Sequence, residues 1–188
     1  MNYKESISVF KPTLEQEISD QEIMLQADEM KISPLLRENK IAHYTASSMI
    51  FNHDFTKVLM IFHHIYQSYC WTGGHMDGMD DFLAVALKEA QEETGLVDFV
   101  VLDEKPISIE CLPVASHIKK GTFVSAHIHM NATYALQYLN EEDKLTICQA
   151  ENSDVKWIAI NDLDDVVAEK DVLLIYHKII NRVLKRFV

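Results

Sequence analysis

At 188 residues and 21.6 kDa the chain fits one domain of ordinary size, with room for a terminal extension and a substantial buried core. A composition that is 48% hydrophobic and 24% charged, with five Gly and four Pro, excludes collagen-like, low-complexity and wholly disordered classes. The formal net charge of −12, from 29 acidic against 17 basic residues, argues against a protein that grips a nucleic-acid polymer through a basic surface. An anionic substrate would need a cation as intermediary.

The residues from Met1 to Ser6 hold no apolar run of signal-peptide length, and no later run approaches the ~20 apolar residues that span a bilayer. A soluble, cytoplasmic protein without a membrane partner is expected. Cys70, Cys111 and Cys148 are widely spaced and form no C-x-x-C pair, so free buried thiols are expected rather than a disulfide framework or a thiolate zinc site.

The first forty residues read as helical. Thr13 with Gln16 and Ser19 with Glu22 are capping-box patterns, and Ile18, Met24, Leu25 and Met30 supply apolar positions before Ser33-Pro34 interrupts. Strand-like runs follow at 47–51 and 57–62, joined across the polar Asn52-His53-Asp54 as a hairpin. Between Asp80 and Thr94 the apolar set Leu83, Ala86, Leu87 and Ala90 has helical spacing, and Gly95 supplies a left-handed stop. Further β-rich runs lie at 97–102, 107–112, 123–136 and 155–160. A closing helix carries Val172, Tyr176, Ile179, Val183 and Phe187 on one stripe, with Lys185 and Arg186 near its C-terminus. That stripe fits core packing, with a homodimer interface as its alternative use. The order predicts an α/β fold, a mixed β-sheet sandwiched between helices with a helical N-terminal extension.

The chemistry concentrates between Gly73 and Leu96. Glu89, Glu92 and Glu93 stand at i, i+3 and i+4, sharing one side of the helix about 100° from the apolar stripe. Crowding like charges this way costs roughly 0.2–0.5 kcal/mol per pair, a sign that a divalent cation would reverse. Hard oxygen ligands on a rigid element suit Mg²⁺ or Mn²⁺. Gly73-Gly74, ahead of the helix, allows close backbone approach and puts a carbonyl within reach of the same ion. A solvated acidic face behind an ordinary tight turn is the rival reading of the same residues.

The pattern Gly74-x5-Asp80-x7-Lys88-Glu89-Ala90-x-Glu92-Glu93-x-Gly95-Leu96 resembles the Nudix box, G-x5-E-x7-R-E-U-x-E-E-x-G-U with U a bulky aliphatic, and matches its spacing without a gap. The resemblance, to the Nudix or MutT-like hydrolases, implies the Nudix fold over 41–188, leaving 1–40 as the helical extension. It further implies hydrolysis of the diphosphate bond in a nucleoside diphosphate linked to another group. Mg²⁺, or Mn²⁺, is the implied cofactor. In that scheme Glu92 and Glu93 are metal ligands, Gly73 offers its carbonyl, Glu89 is ligand or base, and Lys88 orients Glu89. The partner is a small nucleotide-like diphosphate. Asp80 in place of the family's Glu loses a methylene of reach, and Lys88 in place of Arg lacks the bidentate fork. Ala90 is smaller than the family's aliphatic, and Asp77 stands where many relatives carry Glu. A metabolite-binding or regulatory module with weak turnover is the alternative.

Two further features lie outside the box. His127, His129, Asn131 and Thr133 alternate with apolar neighbours. They resemble an H-x-H-x-D-x-R segment of one bacterial branch, with Asn131 and Thr133 in place of its Asp and Arg; the resemblance marks His127 and His129 as candidate substrate contacts, although histidines on a half-exposed strand need no ligand. Glu151, six residues before Trp157, resembles an acid that completes the site in some relatives, and a solvated loop acid is its plainer reading.

Overall fold

The structure is a computed structural model that describes residues 1–64, 67–119, 121–148 and 152–188. Two short helices come first, α1 (Tyr3–Val9) and α2 (Glu15–Gln26), then strands β1 (Ala42–Phe51), β2 (Lys57–His63), β3 (Ser68–Cys70) and β4 (Thr72–His75). Helix α3 (Phe82–Thr94) leads to β5 (Val100–Val101), β6 (Ser108–Val114), β7 (His117–Lys119), β8 (Thr122–Val124), β9 (His127–Gln137) and β10 (Asn152–Ala159). The chain closes with α4 (Leu163–Val166) and α5 (Lys170–Phe187).

An 8-stranded mixed sheet runs in the order β10-β2-β1-β9-β5, with β3 beside β2, β4 beside β1 and β6 beside β9. Its centre is the parallel pair β1 and β9, in register from Ala42 opposite Ile128 to Phe51 opposite Gln137. Both faces of these strands are covered, and β1 is buried along its whole length. The predicted sheet between helices is therefore the observed architecture. The hairpin across 52–54 forms, with Phe51 opposite Val58, and β7 pairs with β8 as a separate ribbon.

One face of the sheet packs against α1, α2 and α3 through Tyr44, Ala46, Met130 and Tyr134. The other packs against α4 and α5 through Met49, Met60 and Ala135, and Leu173, Tyr176, Ile179, Ile180 and Val183 supply the helical side. The N-terminal helices belong to the core: Tyr3, Ile7, Phe10 and Met24 are buried with Tyr44 and Phe82. A charge network fastens them to α5. Glu17, fully buried on α2, receives Arg182 Nη2 at 2.7 Å and Lys178 Nζ at 3.1 Å, and Lys178 also reaches Glu110 on β6 at 2.9 Å.

The helix starts differ from the expected caps. Asn2 caps α1 in a box with Glu5, whereas α2 starts at Glu15 behind Leu14, with no side-chain cap. Thr13 donates its N–H to Glu17, because that carboxylate is held in the ion network, and Ser19 lies inside the helix. Met24 is buried as expected, while Ile18 and Leu25 face outward. The β-run expected over 97–102 shrinks to two residues at the sheet edge, and the run at 123–136 splits into β8 and β9.

Candidate active site

Helix α3 starts at Asp81, whose side chain accepts the Ala84 N–H at 3.2 Å, a cap that stabilises the helix by about 1 kcal/mol. It stops at Gly95, where φ of +75° gives the left-handed turn that a β-carbon disfavours. Phe82, Val85, Ala86 and Ala90 bury one side of α3, and Glu93 and Thr94 extend that buried side toward β4. The carboxylates are therefore not a face separate from the packing stripe. They grade from buried to exposed: Glu93 is 2% accessible, whereas the side chain of Glu89 is 13% and that of Glu92 is 56% accessible.

Each carboxylate has its own anchor. Glu93 Oε2 accepts the Gly73 N–H at 3.0 Å. In an extended strand one residue's N–H and C=O leave by the same edge, so the Gly73 carbonyl also projects from the edge of β4 that faces α3. The Glu89 carboxylate fills the space where a β-carbon on Gly74 would stand, 2.3 Å from that position. Gly74 is glycine because its neighbour's charged head occupies that space. Lys88 Nζ bridges Glu89 at 3.3 Å and Glu92 at 3.0 Å, and these contacts, the Glu92 bond first, raise its own pKa.

Hard oxygen donors gathered around a glycine cradle fit a small divalent cation. Among the described residues, Glu89, Glu92 and Glu93 are not one of the sets of three whose ligand atoms lie within 4.8 Å of one another. Glu93 turns to the β4 amide and Glu92 to solvent. The two sets that do meet this limit are His43, His75 and His129, and the exposed His53, Asp54 and Glu141.

The positions that depart from the family's pattern have defined surroundings. Asp77, at a φ of +46°, pairs with Arg37, so it anchors the 30–40 segment. The Asp80 carbonyl accepts the Tyr3 N–H at 2.6 Å and ties α1 to the start of α3. Ala90 is fully buried in the same part of the core as Leu96 and Ile50.

On the sheet face that α5 partly covers, Ser47 and Thr45 of β1 both donate to Asn131 Oδ1 at 2.9 Å, and Asn131 donates to Thr133. The alternation expected in β9 thus yields a polar strip, buried at Asn131 and Thr133 and opening toward His129 and His127. His127 and His129 are joined, Nε2 to Nε2, at 3.2 Å. His43 stacks on His127 with centroids 4.8 Å apart, and His75 lies 5.0 Å from His43 and 4.9 Å from His129. Burial, followed by the neighbouring imidazoles, pushes His129 down to about 2, and burial also lowers His43. Both rings are neutral at pH 7.

His43 and His75 were missed in the sequence, where no spacing connects them with β9. Only strand register does so, placing His43 opposite His129 and Thr45 opposite His75. His63 closes β2 beside β3 and β10 and is not part of this cluster. Glu151 lies outside the described residues. Trp157 packs against the core formed by Leu59, Ile61 and Val155.

The NUDIX domain profile matches residues 42–179, so this chain belongs to the Nudix hydrolase family. Solved structures share its fold. An Ap4A hydrolase from C. elegans superposes with a TM-score of 0.54 at 16% identity, over 72% of this chain and 93% of that one. The E. coli dihydroneopterin triphosphate pyrophosphohydrolase gives 0.55 at 14% identity, over 73% and 95%. A NUDIX family hydrolase from Clostridium perfringens gives 0.53 at 18% identity, over 74% and 96%. No curated protein matches the chain in sequence.

Proposed function

We propose that the chain is a Mg²⁺-dependent hydrolase that cleaves the diphosphate bond of a nucleoside diphosphate linked to another group. The observation that carries this reading is the packing of Glu89 and Glu93 against Gly74 and Gly73, which sets two carboxylates beside the two glycines of strand β4. Glu89, Glu92, Glu93 and the Gly73 carbonyl would hold the ion. When bound, Mg²⁺ neutralises charge on the diphosphate and makes water a better nucleophile.

The remaining work falls to the chain. Glu93 is fixed by the Gly73 amide, so its position costs no reordering during the reaction. Glu92, exposed on the outer side of α3, has the rotamer freedom to turn inward when the site fills. Glu89, partly shielded from solvent, serves as ligand or as the base that takes a proton from the attacking water. Lys88 positions Glu89 and Glu92 through its two salt bridges. Lacking the guanidinium fork, it orients Glu89 less tightly than an arginine would. The strip from Ser47 to Asn131, with His127 and His129 at its open end, offers hydrogen bonds to the part of the substrate beyond the diphosphate.

No helix among the described residues is long and apolar enough to cross a membrane. The free thiols Cys70, Cys111 and Cys148 suit the reducing cytoplasm in which we place the protein.

A screen of nucleoside diphosphate derivatives, with Ap4A and dihydroneopterin triphosphate included, tests the reading with Mg²⁺ or Mn²⁺ and with Glu92→Gln and Glu93→Gln variants. Metal-dependent release of phosphate-containing products, lost in both variants, is expected. Turnover unchanged in the variants removes the assignment. Ligand binding without product in the unmodified protein assigns a binding module instead.

A further inference from the structure

We propose that His43, His75 and His129 form a second metal site, for a borderline divalent transition ion of which Zn²⁺ is the type, with His127 able to close it as a fourth ligand. Three adjacent strands supply the ligands: His43 from β1, His75 from β4 and His129 from β9. One nitrogen from each of these three lies within 4.8 Å of the others. Because β1 pairs with both β4 and β9, the backbone fixes this convergence and loop closure is not needed.

The hydrogen bonds of His43 and His127 each leave a lone pair on Nε2. His43 Nδ1 lies 3.0 Å from the Asn39 carbonyl, which only accepts, so Nδ1 carries the proton and Nε2 carries a lone pair. That Nε2 belongs to a residue only 5% accessible and has no hydrogen-bond partner among the described residues. A buried acceptor left without a partner is uncommon and calls for an explanation. His127 repeats the arrangement: its Nδ1 lies 2.8 Å from the Ser125 carbonyl, which leaves Nε2 as the acceptor facing His129. An imidazole held at one nitrogen by a backbone carbonyl, with the other turned inward, is how proteins orient metal-binding histidines.

One pair of nitrogens already has the spacing of a tetrahedral site. Tetrahedral Zn²⁺ with bonds of about 2.0–2.1 Å holds its ligand nitrogens roughly 3.3 Å apart, and His127 and His129 already stand 3.2 Å apart, Nε2 to Nε2. Metal entry would replace the bond between these two rings, and the proton that His129 Nε2 gives to it would have to leave that nitrogen, with His129 taking its Nδ1–H tautomer. The donor set separates this site from the carboxylates of α3, because imidazole favours Zn²⁺, Co²⁺, Ni²⁺ or Cu²⁺, whereas Mg²⁺ prefers oxygen. The inference does not require hydrolysis at α3. It gives His129 a ligand role in place of direct substrate contact.

The test uses the full chain, stripped with chelator and titrated with Zn²⁺ or Co²⁺ without Mg²⁺. About one equivalent should bind, Co²⁺ should give the strong visible bands of tetrahedral nitrogen coordination, and Zn²⁺ should displace it and raise the melting temperature. His129→Gln and the half-exposed His75→Gln should each weaken binding by about 100-fold or more, as should His43→Asn if it folds. His53→Ala should bind fully, because it touches only the exposed acidic set, and so should Glu93→Gln. Failure of the unmodified chain to bind near-stoichiometric metal at micromolar concentration would overturn the site, and that result needs no variant. Retained binding in both His129→Gln and His75→Gln, or loss in His53→Ala, would overturn it too.

Discussion

Two groups of glutamates in this molecule use the same side chain for different ends. Glu17 and Glu110 are buried under α5, where Arg182 and Lys178 close on them at salt-bridge distance and fasten α2, β6 and α5 together. Glu89, Glu92 and Glu93 line α3, held by a main-chain amide, a glycine cradle and a lysine that is half exposed. The first group has its countercharge built in and shut away from water, which is what a structural joint requires. The second grades outward to solvent, which leaves a cation and a polyanionic ligand a way in.

The comparison breaks most sharply if the α5 joint is opened. Arg182→Met leaves Glu17 buried with too little countercharge and should cost about 3–5 kcal/mol, read as a lower urea midpoint, while metal-dependent turnover per folded molecule stays unchanged. A similar loss of turnover and stability together would mean that the joint also serves the site.

Acid should then separate the two groups. Burial alone would raise the Glu17 carboxyl, but Arg182, the Thr13 amide and Lys178 outweigh it and hold the group at about 2, below its ordinary 4.5. Its stabilisation, about 3 kcal/mol, is therefore complete above about pH 4.5 and is lost as pH falls toward 2. Glu110, pushed up by burial, works in the opposite direction and trims that loss. Thermal melts from pH 6 to pH 3 should show a steep fall in the unmodified chain and a shallower one in Glu17→Gln.

At the α3 group the expected outcome reverses. Glu92→Gln, at an exposed position, should leave stability within about 0.5 kcal/mol and lower turnover by about 100-fold or more. Equal activity would place Glu92 on a merely solvated face. Gly74→Ala sharpens the point, because the three atoms nearest its new β-carbon all belong to the movable carboxylate of Glu89. Turnover should fall about 10- to 100-fold with little change in the melting curve. Gly73→Ala faces the backbone of Ala46 and Ser47 and should destabilise instead. The smallest effect belongs to Lys88→Met, a loss of up to about 10-fold in turnover, measured as kcat at saturating Mg²⁺.

Much of this architecture is legible along the chain because it depends on local rules. The spacing of Leu83, Ala86 and Ala90, the stop at Gly95 and the polar turn at 52–54 each act within a few residues, and α3 and the β1–β2 hairpin appear where those rules put them. Where a segment's role depends on distant partners, the same rules miss. Ser19 and Glu22 form no cap, Thr13 turns to Glu17, and the run at 123–136 breaks at 125–126, ahead of the point where β9 pairs with β1 and β6.

The site divides the same way. Sequence by itself determined that Glu89, Glu92 and Glu93 share a helix behind two glycines, because residues three and four apart on a helix are neighbours whatever surrounds them. Tertiary structure decided which of them is buried, which glycine receives which carboxylate, and that His43 and His75 meet His129. Those facts follow from the register of β1 against β4 and β9, a relation between residues far apart in sequence that is fixed only when strands pair and helices close over them.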